Sequence, residues 1–144
     1  MALSNVEVIR DQYAATNERD FERAMSHYAD DVVLVVHGEG IRTGRFEGRE
    51  AVGSWFGEWF STFDRDARFE IREVRELEDE VVALVADHHA RGRTSGAEVH
   101  GRVTWLYWLH GGKIVRVEGN TDFSSMDPDE AMRLLRSQAL GLEQ

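Results

Sequence analysis

The chain has 144 residues and no cysteine, so its stability must come from a hydrophobic core, and thiolate metal sites are excluded. Its net charge of −10 argues against nucleic acids and anionic membranes as partners, because an acidic surface repels phosphate groups. The start lacks the basic and apolar pattern of a leader, and no apolar run is long enough to span a membrane. We therefore expect one cytoplasmic domain over residues 1–144.

Two helices are predicted at the start of the chain. Ser4 and Glu7 have the spacing of a capping box, and apolar residues then recur at helical spacing until about Asn17. Asp20 is a suitable N-cap for a short second helix, which we expect to include Tyr28.

A strand and a third helix follow. Residues 32–36 are apolar on both faces, which predicts a strand covered on both sides. Residues 41–46 form a short strand or an extended loop, and Gly48 opens the third helix. The apolar stripe of this helix consists of Val52, Trp55, Phe56, Trp59, Phe60 and Phe63. We interpret the stripe as core, with the alternative that some of its rings also line a ligand cavity.

Four further strands and a final helix complete the chain. Residues 66–77 alternate between apolar and charged, with a slip near Glu73 that predicts a β-bulge. Strands over 80–91, 99–109 and 113–123 are separated by turns at 94–96 and 110–112. Asp127 caps a last helix that ends at Gly141.

This order of elements, α-α-β-β-α-β-β-β-β-α, predicts an α+β fold. A twisted sheet of this size curls, and helices must fill its concave face. We therefore expect a cone-shaped α+β barrel, in which a curved, mostly antiparallel sheet wraps three N-terminal helices and a C-terminal helix is added. Such a cone can hold a small apolar or aromatic ligand.

Three stretches resemble one known superfamily. The superfamily is the nuclear transport factor 2-like superfamily, in its polyketide-cyclase-like (SnoaL-like) branch. Its motifs are similar to Asn17–Phe21 taken together with His27–Val32, to Gly44–Val52, and to Gly112–Glu118. The resemblance covers roughly residues 5–138 and implies the cone. It does not specify the chemistry, because these motifs are structural.

Ketosteroid isomerase, one member of that superfamily, uses an Asp base with a Tyr and a protonated Asp as oxyanion donors, a case that general enzymology describes well. By resemblance the base falls at Val36 and the oxyanion Asp at Trp105. The Tyr falls at Gln12 or, after a shift by one residue, at Tyr13. At most one of the three roles survives, so this mechanism is not expected.

Two other members match no better. The first-strand Tyr and Asn of limonene-epoxide hydrolase fall at Leu34 and Val36, and its last-strand Asp falls at Gly119. Scytalone dehydratase has a cone that is rich in His and Tyr. This chain resembles it loosely, at His88, His89, His100 and Tyr107.

The resemblance places Asp87 and His89 on the concave face of their strand. His89 beside a carboxylate is then a candidate general base, and Tyr107 or Tyr13 is a candidate oxyanion donor. The predicted pocket residues are Val36, Trp55, Trp59, Val85, Val103, Trp105 and Gly119.

The register of the hairpin over residues 80–110 leaves an alternative open. A two-residue turn at Ser95–Gly96 would place His89 opposite Arg102, and Asp87 and His89 would then lie on the outer face with Arg102 and Thr104. A shift of one residue in the register therefore decides whether Asp87 and His89 form a catalytic pair in the cavity or a row of side chains on the outer face.

We expect neither a metal site nor a cofactor. His88 and His89 are adjacent and point to opposite faces of a strand, and the sequence contains no HExxH, P-loop or dinucleotide motif. Two functions remain: a cofactor-free proton-transfer enzyme of isomerase, dehydratase or cyclase type, or a non-catalytic ligand-binding or dimerisation module. A homodimer is predicted, because the apolar side chains in the outer-face strip of Thr104, Leu106 and Trp108 need cover, and the resemblance implies that two sheets pack together in a dimer.

Overall fold

The computed structural model describes residues 3–38, 43–63, 66–77, 80–120 and 128–139. Within these ranges the elements follow the predicted order. Their bounds are α1 Asn5–Asn17, α2 Phe21–Met25, β1 Tyr28–His37, β2 Gly44–Glu47, α3 Arg49–Ser61, β3 Arg68–Leu77, β4 Val81–Arg91, β5 Glu98–His110, β6 Lys113–Asn120 and α4 Pro128–Ala139. The predicted features at 39–42, 78–79, 121–127 and 141 lie outside the described residues.

The two predicted N-terminal caps that lie within the described residues are confirmed. The Glu7 amide donates to Ser4 Oγ at 3.1 Å, and the Ser4 amide donates to Glu7 Oε1 at 2.9 Å. Asp20 Oδ1 accepts a hydrogen bond from the Arg23 amide at 3.2 Å, which starts α2. These local hydrogen bonds fix where both helices begin.

The prediction that Tyr28 lies on the second helix is wrong. Helix α2 ends at Met25, and Tyr28 begins β1, where it pairs with Ile114 of β6. The Ile114 amide also donates to the His27 carbonyl at 2.8 Å. Pairing with a strand that is remote in sequence therefore extends β1 beyond its apolar segment.

The six strands form a curled, unclosed sheet in the order β2-β1-β6-β5-β4-β3. Only the β1–β6 pair is parallel among these strands, and the other pairs are antiparallel. The register of β3 on β4 shifts between Ile71 and Glu73, which confirms the predicted bulge. None of the described helices has the length and apolar character needed to cross a membrane.

The concave face of the sheet packs against α1 and α3. Ile9 of α1 and Val52 of α3 are fully buried against inward-facing positions of the strands, among them Leu34, Leu84 and Val117. Strand β1 is covered less completely than predicted, because Val33 and Val35 are only half-buried on its other face. This core holds α3 against β1 and β2 and α1 against β3 and β4.

Helix α4 covers part of the convex face. Met132 packs there with Val81, Ala83, Val85 and Leu106, all of which are at most 4% exposed in the single chain. The apolar strip on which the homodimer was predicted is therefore covered by the chain's own last helix at Leu106.

Candidate functional site

A cavity of about 270 Å³ lies between the three N-terminal helices and the inner face of β3, β4 and β5. Five predicted site residues lie in its wall: Tyr13, Trp55, Trp59, Val103 and Trp105. Four aromatic residues of the stripe on α3 contribute to the same wall, namely Trp55, Phe56, Trp59 and Phe60. The stripe thus forms core and cavity wall at once.

The wall consists largely of aromatic rings that hold one another in place. Trp59 stacks on Phe69 with 5.3 Å between ring centroids, and Trp55 meets Trp105 edge to face at 6.0 Å. Such contacts add to the stability gained from burial and restrict ring motion. The cavity therefore offers flat apolar surfaces in fixed positions.

The cavity reaches the protein surface between α2 and α3. Phe21, which is 40% exposed, and Gly57, which is also exposed, both contribute to its wall. A Cβ atom added at Gly57 would meet no other atom within 4 Å. The absence of a side chain at this position leaves an entrance.

A pair of tyrosines lies at the inner part of the site. The hydroxyl oxygens of Tyr13 and Tyr107 are 2.6 Å apart, and Tyr13 belongs to the cavity wall while Tyr107 lies in the core behind it. Burial raises the pKa of both phenols, so both keep their protons near neutral pH. One hydroxyl donates to the other, and the second proton remains available to a nearby acceptor.

His88 is the histidine that the structure places in the cavity wall. In the sequence it matches scytalone dehydratase loosely, but it was not among the predicted site residues. It is 9% exposed and contacts the rings of Trp59, Phe63 and Phe69. Burial lowers the pKa of His88, and the nearby His89 lowers it further. The ring is therefore neutral near pH 7, as a general base must be.

The placement of Asp87, His89 and Val85 on the concave face is wrong. In the β4–β5 pair, Asp87 lies opposite Arg102, and Val85 lies opposite Thr104. Side chains alternate along a strand, so all three predicted residues point to the convex face and His88 points inward. The alternative interpretation gave the correct face, although His89 pairs with His100 and not with Arg102.

On the convex face Asp87 takes part in an ion-pair network. Its carboxylate lies 3.2 Å from Arg102 Nε and 3.3 Å from Arg72 Nε. Burial alone would raise the pKa of Asp87, but these two guanidinium groups outweigh it and the net shift is downward. His89 stacks on His100 at 4.5 Å. These groups have partners in the chain itself, and none belongs to the cavity wall.

Val36 and Gly119, both predicted to line the pocket, lie behind its wall. They pair with each other in the parallel β1–β6 ladder. A Cβ atom on Gly119 would come within 2.3 Å of the Trp105 ring. Gly119 thus gives Trp105 room to lie flat on the sheet, and Trp105 separates it from the cavity.

In the part of the chain that the structure describes, no three His, Asp or Glu side chains are grouped closely enough to hold a metal ion. Of the four predicted catalytic residues, Tyr13 and Tyr107 lie together, whereas Asp87 and His89 lie on the opposite face of the sheet. The signal for His88 was present in the sequence: any register that turns His89 outward turns its neighbour inward.

The sequence profile of the SnoaL-like domain matches residues 9–117, most of the chain. The chain belongs to the SnoaL-like family. This assignment confirms the predicted nuclear transport factor 2-like superfamily and its SnoaL-like branch. No curated protein matches the sequence.

Solved structures share the SnoaL-like fold. Bal32a, from a soil-derived mobile gene cassette, has a TM-score of 0.73 at 19% identity, over 80% of this chain and 86% of its own. RV0760c from Mycobacterium tuberculosis, in complex with estradiol-17β-hemisuccinate, has a TM-score of 0.71 at 20% identity over 83% and 97%. TerC, co-crystallised with polyporic acid, has a TM-score of 0.69 at 21% identity over 91% and 96%. At these identities the similarity establishes the fold.

Proposed function

We propose that this SnoaL-like protein binds an uncharged, planar and mainly apolar small molecule with a single ring or two fused rings. The observation that carries the proposal is the aromatic cavity of about 270 Å³ with an entrance at Gly57. An apolar protein cavity of about 150 Å³ already holds benzene, so this volume suits a larger ring system. Flat indole surfaces such as those of Trp55 and Trp105 favour a planar ligand.

The binding test uses naphthalene as a probe and follows quenching of tryptophan fluorescence. Gly57→Leu adds a side chain at the entrance and should weaken binding at least about tenfold, while the better helix propensity of Leu preserves the fold. Ser54→Leu is the matched control, because it adds the same side chain at an exposed position of α3 outside the cavity wall. Absence of naphthalene binding, or equal binding by both variants, would contradict the proposal.

A second candidate is cofactor-free proton transfer, which His88 and the tyrosine pair support. Both His88 and Tyr13 contact the ring of Phe69, with centroid distances of 5.8 and 5.6 Å. His88 would accept a proton from the carbon beside a carbonyl group, and the C–H electrons would move to the carbonyl oxygen. The free phenolic proton of the Tyr13–Tyr107 pair would donate a hydrogen bond to the resulting enolate oxygen.

Hydrogen–deuterium exchange at the α-carbon of 2-tetralone, followed by NMR, tests this chemistry. His88→Gln keeps a polar side chain but removes the base, and should reduce the exchange rate at least about 100-fold. Tyr13→Phe should have a smaller effect. If the wild-type protein binds 2-tetralone without accelerating exchange, the proposed proton transfer is contradicted and the alternative of a non-catalytic binding module is favoured.

We also propose that the protein forms a homodimer through the charged half of the convex face. Rows of positively and negatively charged side chains cross β3, β4 and β5 there, including the exposed ion pair of Arg91 and Glu98 at 2.9 Å. Such rows can be self-complementary about a two-fold axis. Analytical ultracentrifugation decides the point, because a mass near 16.5 kDa at micromolar protein would contradict a dimer.

A further inference from the structure

Gln12 presents a buried acceptor with no partner in the wall of the cavity. The residue lies on α1 and is 6% exposed. Its amide orientation follows from Thr16, whose hydroxyl donates its proton to the backbone carbonyl oxygen of Gln12 at 2.8 Å. Toward the Gln12 side chain this hydroxyl can therefore only accept, so the atom 3.5 Å away is the amide nitrogen Nε2. The side-chain oxygen Oε1 is left over, and it receives no hydrogen bond from the described residues.

His88, on a different element, presents a second buried polar atom without a partner among the described residues. Its Nε2 is buried and has no hydrogen-bond partner in the described part of the chain, and its nearest ring neighbours are Trp59, Phe63 and Phe69. Buried polar side chains in native proteins are nearly always paired, because an unpaired one loses its bonds to water without compensation. The described residues contain three such atoms, and two of them, Gln12 Oε1 and His88 Nε2, lie in the wall of one cavity, whereas the third, the Tyr28 hydroxyl, lies in the core. The two in the cavity wall point to a molecule that supplies the partners.

The cavity wall also restricts the charge of that molecule. None of the described residues in the wall is Asp, Glu, Lys or Arg. Arg19 lies over the Phe60 ring at 5.1 Å, but its guanidinium donates to the carbonyl groups of Thr16 and Ala67. An ionised ligand would leave water without a counter-charge, which is strongly unfavourable. The site therefore suits an uncharged ligand.

We propose that Gln12 and His88 select an uncharged ring compound that carries a hydrogen-bond-donating hydroxyl group. The hydroxyl group donates to Gln12 Oε1, or it pairs with His88 Nε2, which it can do in either tautomer of the ring because a hydroxyl group both donates and accepts. A ligand with two polar groups satisfies both atoms. The hydrocarbon part of the ligand fills the aromatic cavity. This inference rests on the proposed binding function and adds the group that the ligand must carry.

The selectivity is tested with naphthalene, 2-naphthol, 2-methoxynaphthalene and 2-naphthoate as probes, by calorimetry and tryptophan quenching. We expect 2-naphthol to bind about 5- to 10-fold more tightly than 2-methoxynaphthalene, which cannot donate, as one net hydrogen bond predicts. Anionic 2-naphthoate should bind at least about tenfold more weakly than 2-naphthol.

Two substitutions assign the selectivity to these residues. Gln12→Met keeps the chain length without the amide, and His88→Phe keeps a flat ring without nitrogen atoms. In the double variant, 2-naphthol and 2-methoxynaphthalene should bind equally. Circular dichroism checks that the double variant folds. If it does not fold, the affinities of the four probes for the wild-type protein still decide whether the cavity prefers a hydroxyl group.

The outcomes separate this inference from the proposed function. If naphthalene binds but the wild-type protein does not prefer 2-naphthol, the hydroxyl selectivity is wrong and the binding function stands. Persistence of the preference in the double variant also overturns the assignment to Gln12 and His88. If no probe binds, the binding function fails and this inference fails with it.

Discussion

The two faces of the hairpin formed by β4 and β5 carry polar groups in opposite situations. On the convex face, Asp87 is buried and has two arginine partners. On the concave face, His88 is equally buried, and its Nε2 has no partner among the described residues. A buried polar group that the chain itself satisfies is explained by stability, whereas one that is left unsatisfied in the wall of a cavity points to a ligand. Adjacent residues thus differ in role because they face opposite sides of one strand.

The largest effect is expected at Gly119, which supports the concave face from behind. Gly119→Ala places a Cβ within 2.3 Å of the Trp105 ring and should push the indole into the cavity. We expect a loss of about 1–3 kcal/mol in the free energy of unfolding, together with weaker naphthalene binding. Denaturant unfolding and fluorescence titration measure the two effects.

Gly101→Ala is the matched control for that substitution, since a Cβ there would meet the nearest atom, His88 Nδ1, at an ordinary 3.8 Å. It should leave both stability and binding close to wild type. Equal behaviour of the two alanine variants would show that Trp105 is not held by its contact with Gly119.

The next effect distinguishes the two faces directly. Asp87→Ala removes the carboxylate that joins Arg72 and Arg102, and should cost about 1–2 kcal/mol of unfolding free energy, because both arginines can return to water. Ligand affinity should not change. His88→Phe should do the reverse, with little loss of stability and an altered ligand preference. A loss of ligand binding in Asp87→Ala would contradict the division between the faces.

Stability should also depend on pH through His88. Its pKa in the folded chain lies below the ordinary value of 6.5, so the unfolded chain binds the proton more readily. The contribution of neutral His88 to the free energy of unfolding is fully present above pH 6.5, and it is lost as the pH falls through the pKa of His88 in the folded chain. One proton limits the slope to about 1.4 kcal/mol per pH unit.

Unfolding free energies at about pH 7.5 and about pH 5.5 test this dependence, with His88→Phe as the reference. The decrease on acidification should be smaller in the variant, while the contributions of all other groups remain in both proteins. An identical decrease in both proteins would mean that the His88 ring is not held in its neutral form.

The smallest effect is expected at the cavity entrance. Gly57→Ala should raise the free energy of unfolding by about 0.5–1 kcal/mol, because glycine is a poor residue in a helix and the added methyl group meets no atom. A methyl group is too small to close the entrance, so naphthalene should still bind. Thermal unfolding of the variant and of wild type provides the measurement.

The sequence by itself determined the fold. Capping signals at Ser4 and Asp20, helical spacing of aromatic residues on α3 and the alternation slip near Glu73 are local patterns, and the described structure contains all of them. The motifs that resemble the nuclear transport factor 2-like superfamily depend on the same local information, which is why the family was predicted correctly.

Only the tertiary structure decided which side chains meet in the cavity. The β4–β5 register depends on how six residues, 92–97, connect the strands, and a shift of one residue exchanges His88 for His89. Likewise, nothing local shows that Tyr107 lies 2.6 Å from Tyr13, since 94 positions separate them in the chain. Contacts between remote segments depend on packing of the whole sheet against the helices, and local sequence patterns do not encode them.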